Sequence, residues 1–95
     1  MNLRRRAQAH RYEAVRVNVL YFAAARDAAG RPSETLELAD GATCAAALEA
    51  AVRAHEGLAR FASQLRFGVN ESFAPPTHAL SDGDTLALIP PVSGG

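Results

Sequence analysis

The residues best arranged for chemistry stand at the end of the chain, in LALIPPVSGG. Pro90 and Pro91 fix φ and lack backbone donors, so they stop a strand's ladder and favour an extended exit. The four residues that follow span about 13 Å when extended. Gly94 and Gly95 carry no side chain, so such a tail can thread a channel too narrow for a Cβ and present its last carbonyl there. A carboxylate is a poor electrophile. Chemistry at that carbonyl needs activation, for example as an acyl-adenylate made from ATP by another enzyme.

The other reactive residue types form no comparable pattern. His10, His55 and His78 are far apart and lack the partners of a zinc motif. There is no phosphate-binding glycine-lysine loop. Asp82 and Asp84 flank Gly83, which reads as a turn rather than a catalytic pair. Ser93 has no evident base. Cys44 could have a lowered pKa in the first turn of a helix, but it shares an apolar stripe with Leu48 and Val52 and is read as core.

Composition narrows the field. With 95 residues, 48% of them hydrophobic, the chain is expected to form one globular domain. A formal net charge of +0 gives no reason to expect nucleic acid. All ten basic residues are arginine. The single cysteine excludes an internal disulfide and fits a reducing cytoplasm. No apolar run approaches the roughly 20 residues of a membrane span, so no membrane partner is expected.

The elements that must position the tail can be read by periodicity. Residues 1–14 are polar and arginine-rich and are read as a flexible N-terminal extension. In VRVNVLYF, Val17, Val19 and Tyr21 suit a core face; the other face starts polar and ends apolar at Leu20 and Phe22. AAARDAAG breaks the strand pattern and, with Pro32, is read as an elaborated hairpin loop. SETLELAD is a second strand, with Leu36 and Leu38 on one face. The segment from Asp40 to Gly57 is the one expected helix, with Thr43 as N-cap, a stripe through Cys44, Leu48, Ala51, Val52 and His55, and Gly57 as C-terminal cap. GLARFASQ reads as a loose or 3₁₀ segment anchored by Leu58 and Phe61. LRFGVN is a third strand, NESFAPPTHAL a connector, and TLALI the last strand. One helix must cover one face of a mixed sheet. The most apolar strands, first and last, are expected side by side, parallel, at its centre. The class is α+β and the arrangement that of a β-grasp, or ubiquitin-like, fold: residues 15–89 form the domain and residues 90–95 an extended tail.

Four stretches together resemble a known family: VLYFAAARDAAG, DGAT opening a helix, FGVNESF, and LSDGDTLALIPPVSGG. They are similar to the small subunit of molybdopterin synthase, the MoaD-type sulfur carrier. The resemblance runs from about Val15 to Gly95. It implies that a MoeB-type enzyme uses ATP to adenylate Gly95 and that a sulfur donor protein converts it to a thiocarboxylate. The tail then enters the MoaE-type large subunit and passes sulfur to cyclic pyranopterin monophosphate, in a heterotetramer of two small and two large subunits. The catalytic pocket is expected on the large subunit, and no permanently bound cofactor is expected. The partner-binding set is Leu20, Phe22, Ile89, Pro90, Pro91, Val92 and Ser93, with Leu20, Phe22 and Ile89 forming an apolar patch on the face away from the helix; Arg66 puts a charge near it. The alternatives are loops that cover the patch, a carrier for thiamine, cysteine or tRNA thiolation, a ubiquitin-like protein modifier, and a binding module whose Gly-Gly is idle.

Overall fold

The computed structural model describes residues 14–91; the N-terminal extension read over residues 1–14 lies outside them except for Ala14, which opens the first strand rather than ending the extension. Strand β1 (Ala14–Tyr21) passes into helix α1 (Ala23–Ala29), strand β2 (Ser33–Ala39), helix α2 (Cys44–Ala54) and a 3₁₀ segment (Glu56–Gln64). Strands β3 (Arg66–Val69), β4 (Ser72–Ala74) and β5 (Thr85–Ile89) complete the fold. The five strands form one mixed sheet in the order β2-β1-β5-β3-β4, a β-grasp architecture. As their apolar content predicts, β1 and β5 lie side by side and parallel at the centre, with Val19 opposite Leu86 and Tyr21 opposite Leu88.

One face of the sheet carries the core. Val17, Val19, Leu86 and Leu88 are fully buried, with Val15, Tyr21, Leu65, Phe67 and Val69 nearly so. Leu36 and Leu38 of β2 pack at its margin. Onto this face α2 lays Cys44, Ala47 and Ala51, and Leu58 of the 3₁₀ segment closes the end. Small residues on the helix stripe let it approach closely while the strands supply the bulk. Cys44 is wholly buried; burial first, and then the negative charge of Asp84, raise its thiol above its ordinary value, so it is packing rather than a nucleophile.

Helix α2 begins as its sequence demands. Thr43 accepts through its side chain from the Ala46 N–H at 3.2 Å. The next free donors are met from the other side of the chain: Cys44 N–H donates to the His78 carbonyl and Ala45 N–H to the Pro76 carbonyl, each at 3.0 Å. The proline-rich connector therefore caps the helix.

Four sequence expectations are corrected. The alanine-rich AAARDAA is helix α1, not loop, because its residues are mostly strong helix formers and Gly30 (φ 77) closes it with its N–H on the Arg26 carbonyl. The described residues thus hold two α-helices and a 3₁₀ segment rather than one helix. Gly57 does not cap α2, which ends at His55. A Cβ on Gly57 would stand 3.2 Å from the Ala28 carbonyl oxygen, so its smallness instead lets the 3₁₀ segment press on α1. The expected connector NESFAPPTHAL contains β4, which pairs antiparallel with β3 across a two-residue turn. Both turn residues have positive φ, Asn70 at 50° and Glu71 at 75°, which matches the right-handed twist of the flanking strands.

The passage from β1 to α1 has no loop. Phe22 is extended, Ala23 takes φ 49°, and the helix is under way, with the Phe22 carbonyl accepting from Ala25 N–H at 2.9 Å. An L-residue in this region is strained by about 1–2 kcal/mol. Replacing Ala23→Gly should therefore stabilise the fold by about 0.5–1 kcal/mol once the extra freedom of the unfolded glycine is subtracted. Chemical denaturation checks this; a lower unfolding midpoint would contradict the strain.

Candidate functional site

Among the described residues, no helix covers the sheet face opposite α2. Across its centre run Leu20, Ala87, Gly68 and Phe73, each paired with the next across neighbouring strands. Small residues in the middle and large ones at the margins make this row concave. The row below it, with Thr85 and Asn70, is polar. The row above holds Phe22 and Ile89, and there the chain leaves the sheet through Pro90 and Pro91. The result is a groove of about 550 Å³ whose walls turn apolar toward the exit of the C-terminal chain. Leu20, Phe22 and Ile89, singled out from sequence, all line it. Phe22 is 45% exposed. Arg66, opposite Ile89 in register, is exposed and lines a neighbouring depression rather than this groove. Pro90 is half-buried and Pro91 exposed; Val92, Ser93, Gly94 and Gly95 lie outside the described residues.

Phe73 is the wall that sequence reasoning missed. It is 77% exposed, more than any other large hydrophobic side chain among the described residues. Its only sequence signal is an aromatic between Ser72 and Ala74, just after the Asn70-Glu71 turn. That turn is pinned to β5: Asn70 Nδ2 donates to Asp84 Oδ1 and Thr85 N–H donates to Asn70 Oδ1, both at 3.0 Å. The Ser81 N–H donates to Asp84 Oδ2 at 2.8 Å. That bond first, and then the Asn70 amide, hold the Asp84 carboxyl below its ordinary value. Asp82 accepts from the Arg16 N–H at 2.8 Å. Both aspartates are thus turn residues, as the sequence suggests.

A second cluster lies on the core side. Glu34 of β2 accepts at one carboxylate oxygen from the Tyr21 hydroxyl at 2.5 Å and from His55 Nε2 at 2.6 Å. A carboxylate only accepts, so this ring nitrogen carries a proton. The Tyr21 and His55 rings meet edge to face, with centroids 5.8 Å apart. Arg31 reaches the other oxygen at 3.4 Å from an exposed position, a weak contribution. Burial pushes the Glu34 carboxyl up, but the hydrogen bonds from Tyr21 and His55 and the charges around it outweigh burial and hold it below its ordinary 4.5. Burial, and then the bond to Glu34, push the Tyr21 phenol far above its ordinary value, so it stays a donor. Among the described residues no group of three or more His, Cys, Asp or Glu is placed to hold a metal, and no helix is long and apolar enough to cross a membrane.

The ThiS family model matches residues 19–95. A molybdopterin synthase sulfur carrier subunit of Chlamydomonas reinhardtii is 40% identical over 83 residues, covering 85% of this chain and 100% of that protein. A protein of the same description from Mycobacterium tuberculosis is 34% identical over 82 residues, covering 85% and 99%. The crystal structure of SAMP1 from Haloferax volcanii superposes with a TM-score of 0.76 at 32% identity, covering 84% and 99%.

The Glu34 cluster makes stability depend on pH. Its folded carboxyl lies below 4.5, so its stabilising contribution is complete above that value and is lost as pH falls through the folded value. Glu34→Gln should lower the urea midpoint at pH 7 and flatten its decline below pH 4.5. A variant whose decline in acid matches that of the native chain would contradict this role.

Proposed function

Since the chain belongs to the ThiS family, we propose that it is the sulfur-carrying small subunit of a molybdopterin synthase. The observation that carries the reading is the placement of the groove: the apolar half of the sheet face opposite α2 adjoins the point where the chain departs toward Gly94 and Gly95. A carrier needs a surface to dock on and an end that reaches away from it, not a pocket of its own. The relatives described as molybdopterin synthase sulfur carrier subunits support this pathway over thiamine, cysteine or tRNA thiolation.

The chemistry follows from the terminal carboxylate. Its oxygen attacks the α-phosphorus of ATP on a MoeB-type activating enzyme, and pyrophosphate leaves. A sulfide-level sulfur from a donor protein then displaces AMP from the acyl-adenylate, leaving a thiocarboxylate on Gly95. The MoaE-type large subunit docks Leu20, Phe22 and Ile89, with Phe73 extending the contact, while Pro90 and Pro91 direct Val92, Ser93, Gly94 and Gly95 into its active site. There the sulfur passes to cyclic pyranopterin monophosphate. The working assembly is a heterotetramer in the cytoplasm, and ATP is consumed by the activating enzyme rather than held by this chain.

A second reading is favoured by the similarity to SAMP1, which the crystal structure of a related chain describes as a small archaeal modifier protein. In that reading the activated Gly95 is attacked by a lysine amine of a target protein. The two readings share activation and part at the acceptor.

In a reconstituted synthase with the large subunit, activating enzyme, ATP and sulfur donor, removing Gly95 should abolish molybdopterin formation while circular dichroism stays native. Formation at the native rate would refute the carrier role. Phe22→Arg should weaken binding to the large subunit by about tenfold or more, because it forces a charge into an apolar contact. Unchanged affinity by calorimetry would remove Phe22 from the interface.

A further inference from the structure

Resting on the docking role proposed for the groove, we propose that Glu34 is a positioning residue that acts through Tyr21 to hold Phe22 at the groove rim. Glu34 pairs with Val19 in register and faces the core side of the sheet, so it does not line the groove. Its reach to the other face runs through one peptide link. Tyr21 and Phe22 are consecutive in an extended chain, so one side chain points inward to the carboxylate and the other outward to the groove.

The carbonyl of Phe22 is fixed by α1, whose Ala25 and Arg26 N–H groups donate to it at 2.9 and 3.3 Å, but the Phe22 side chain and N–H are held more weakly. The residue is nearly half exposed, and its backbone rung to β5, Phe22 N–H to the Leu88 carbonyl, is long at 3.4 Å. The residue after it, Ala23, opens α1 in the left-handed region at φ 49°. Tyr21, by contrast, is held three ways: its N–H donates to the Pro32 carbonyl at 2.8 Å, its hydroxyl donates to Glu34, and its ring meets the edge-on His55 ring. His55 binds the same carboxylate oxygen, so Glu34 ties the last firmly held residue of β1 to the end of α2. Losing that tie should leave the sheet paired but free the rim. A docking partner would then have to immobilise Phe22 itself, which weakens binding by about threefold to tenfold.

The test is the affinity of the large synthase subunit for folded carrier, by calorimetry, in two backgrounds. Glu34→Ala should weaken binding by about threefold to tenfold in the native chain and by less than about twofold when Phe22 is already alanine. Tyr21→Phe keeps the ring and its contact with His55 while deleting the hydroxyl. It should reproduce the loss and keep the inference testable if Glu34→Ala does not fold. A residue that merely supports the fold would lower the unfolding midpoint in both backgrounds and leave the affinity of the folded protein unchanged; that result overturns the inference. Equal weakening in both backgrounds also overturns it, since the effect then bypasses Phe22. If Phe22→Ala leaves affinity intact, the docking reading fails and takes the inference with it. If Phe22→Ala weakens binding and the Glu34 and Tyr21 variants do not, only the inference fails.

Discussion

The parallel pairing of the first and last strands is the constraint on which the molecule depends. Because β1 and β5 run the same way side by side, their C-terminal ends emerge at one edge of the sheet. Phe22 follows the first and Pro90 the second, so the apolar rim and the departing tail are neighbours by topology. An antiparallel pairing would send the tail away from the rim. The arrangement joins segments more than sixty residues apart, and everything between them must fold back to cover one face of the pair.

Among the described residues that covering is one-sided, and the other side is graded. Polar residues at Thr85 and Asn70 give way to Ala87 and Gly68, then to Phe22 and Ile89. The small residues in the middle matter as much as the large ones at the margin. A Cβ on Gly68 would sit 3.6 Å from Ile89 Cδ1 and 3.7 Å from the Ala87 methyl, filling the floor without a clash. The concavity is therefore a matter of side-chain volume on a regular ladder, not of a distorted backbone. Such a surface suits a protruding apolar feature on a partner better than a small molecule enclosed on all sides.

Much of this was legible in the sequence, because alternation is strong wherever a strand is half buried. The core positions of β1, β3 and β5 and three of the four groove walls follow from period-two reading, and the Thr43 cap of α2 from its residue type ahead of a helical stretch. What escaped has a physical cause in each case. Helix α1 was hidden because the chain enters it through a left-handed alanine, where sequence gives no punctuation. Strand β4 is three residues long and pairs only by virtue of a turn built from Asn70 and Glu71, without the usual glycine. Gly57 read as a cap because composition cannot distinguish a glycine needed for φ from one needed for closeness. The Tyr21–Glu34–His55 cluster joins residues 13 and 21 positions apart, on two strands and a helix end, so no local pattern marks it. The tail was the most specific signal in the sequence and lies beyond the described residues. Its role rests on residue chemistry and on the family the chain belongs to.

The measurement that tests the central claim most directly is the intact mass of the untagged protein before and after incubation with ATP, a MoeB-type activating enzyme and a sulfur donor. A gain equal to one oxygen exchanged for sulfur, located on the C-terminal peptide, is the predicted result and would establish Gly95 as the working group. An unchanged mass, with an activating enzyme shown to be competent on its own carrier, would contradict the account.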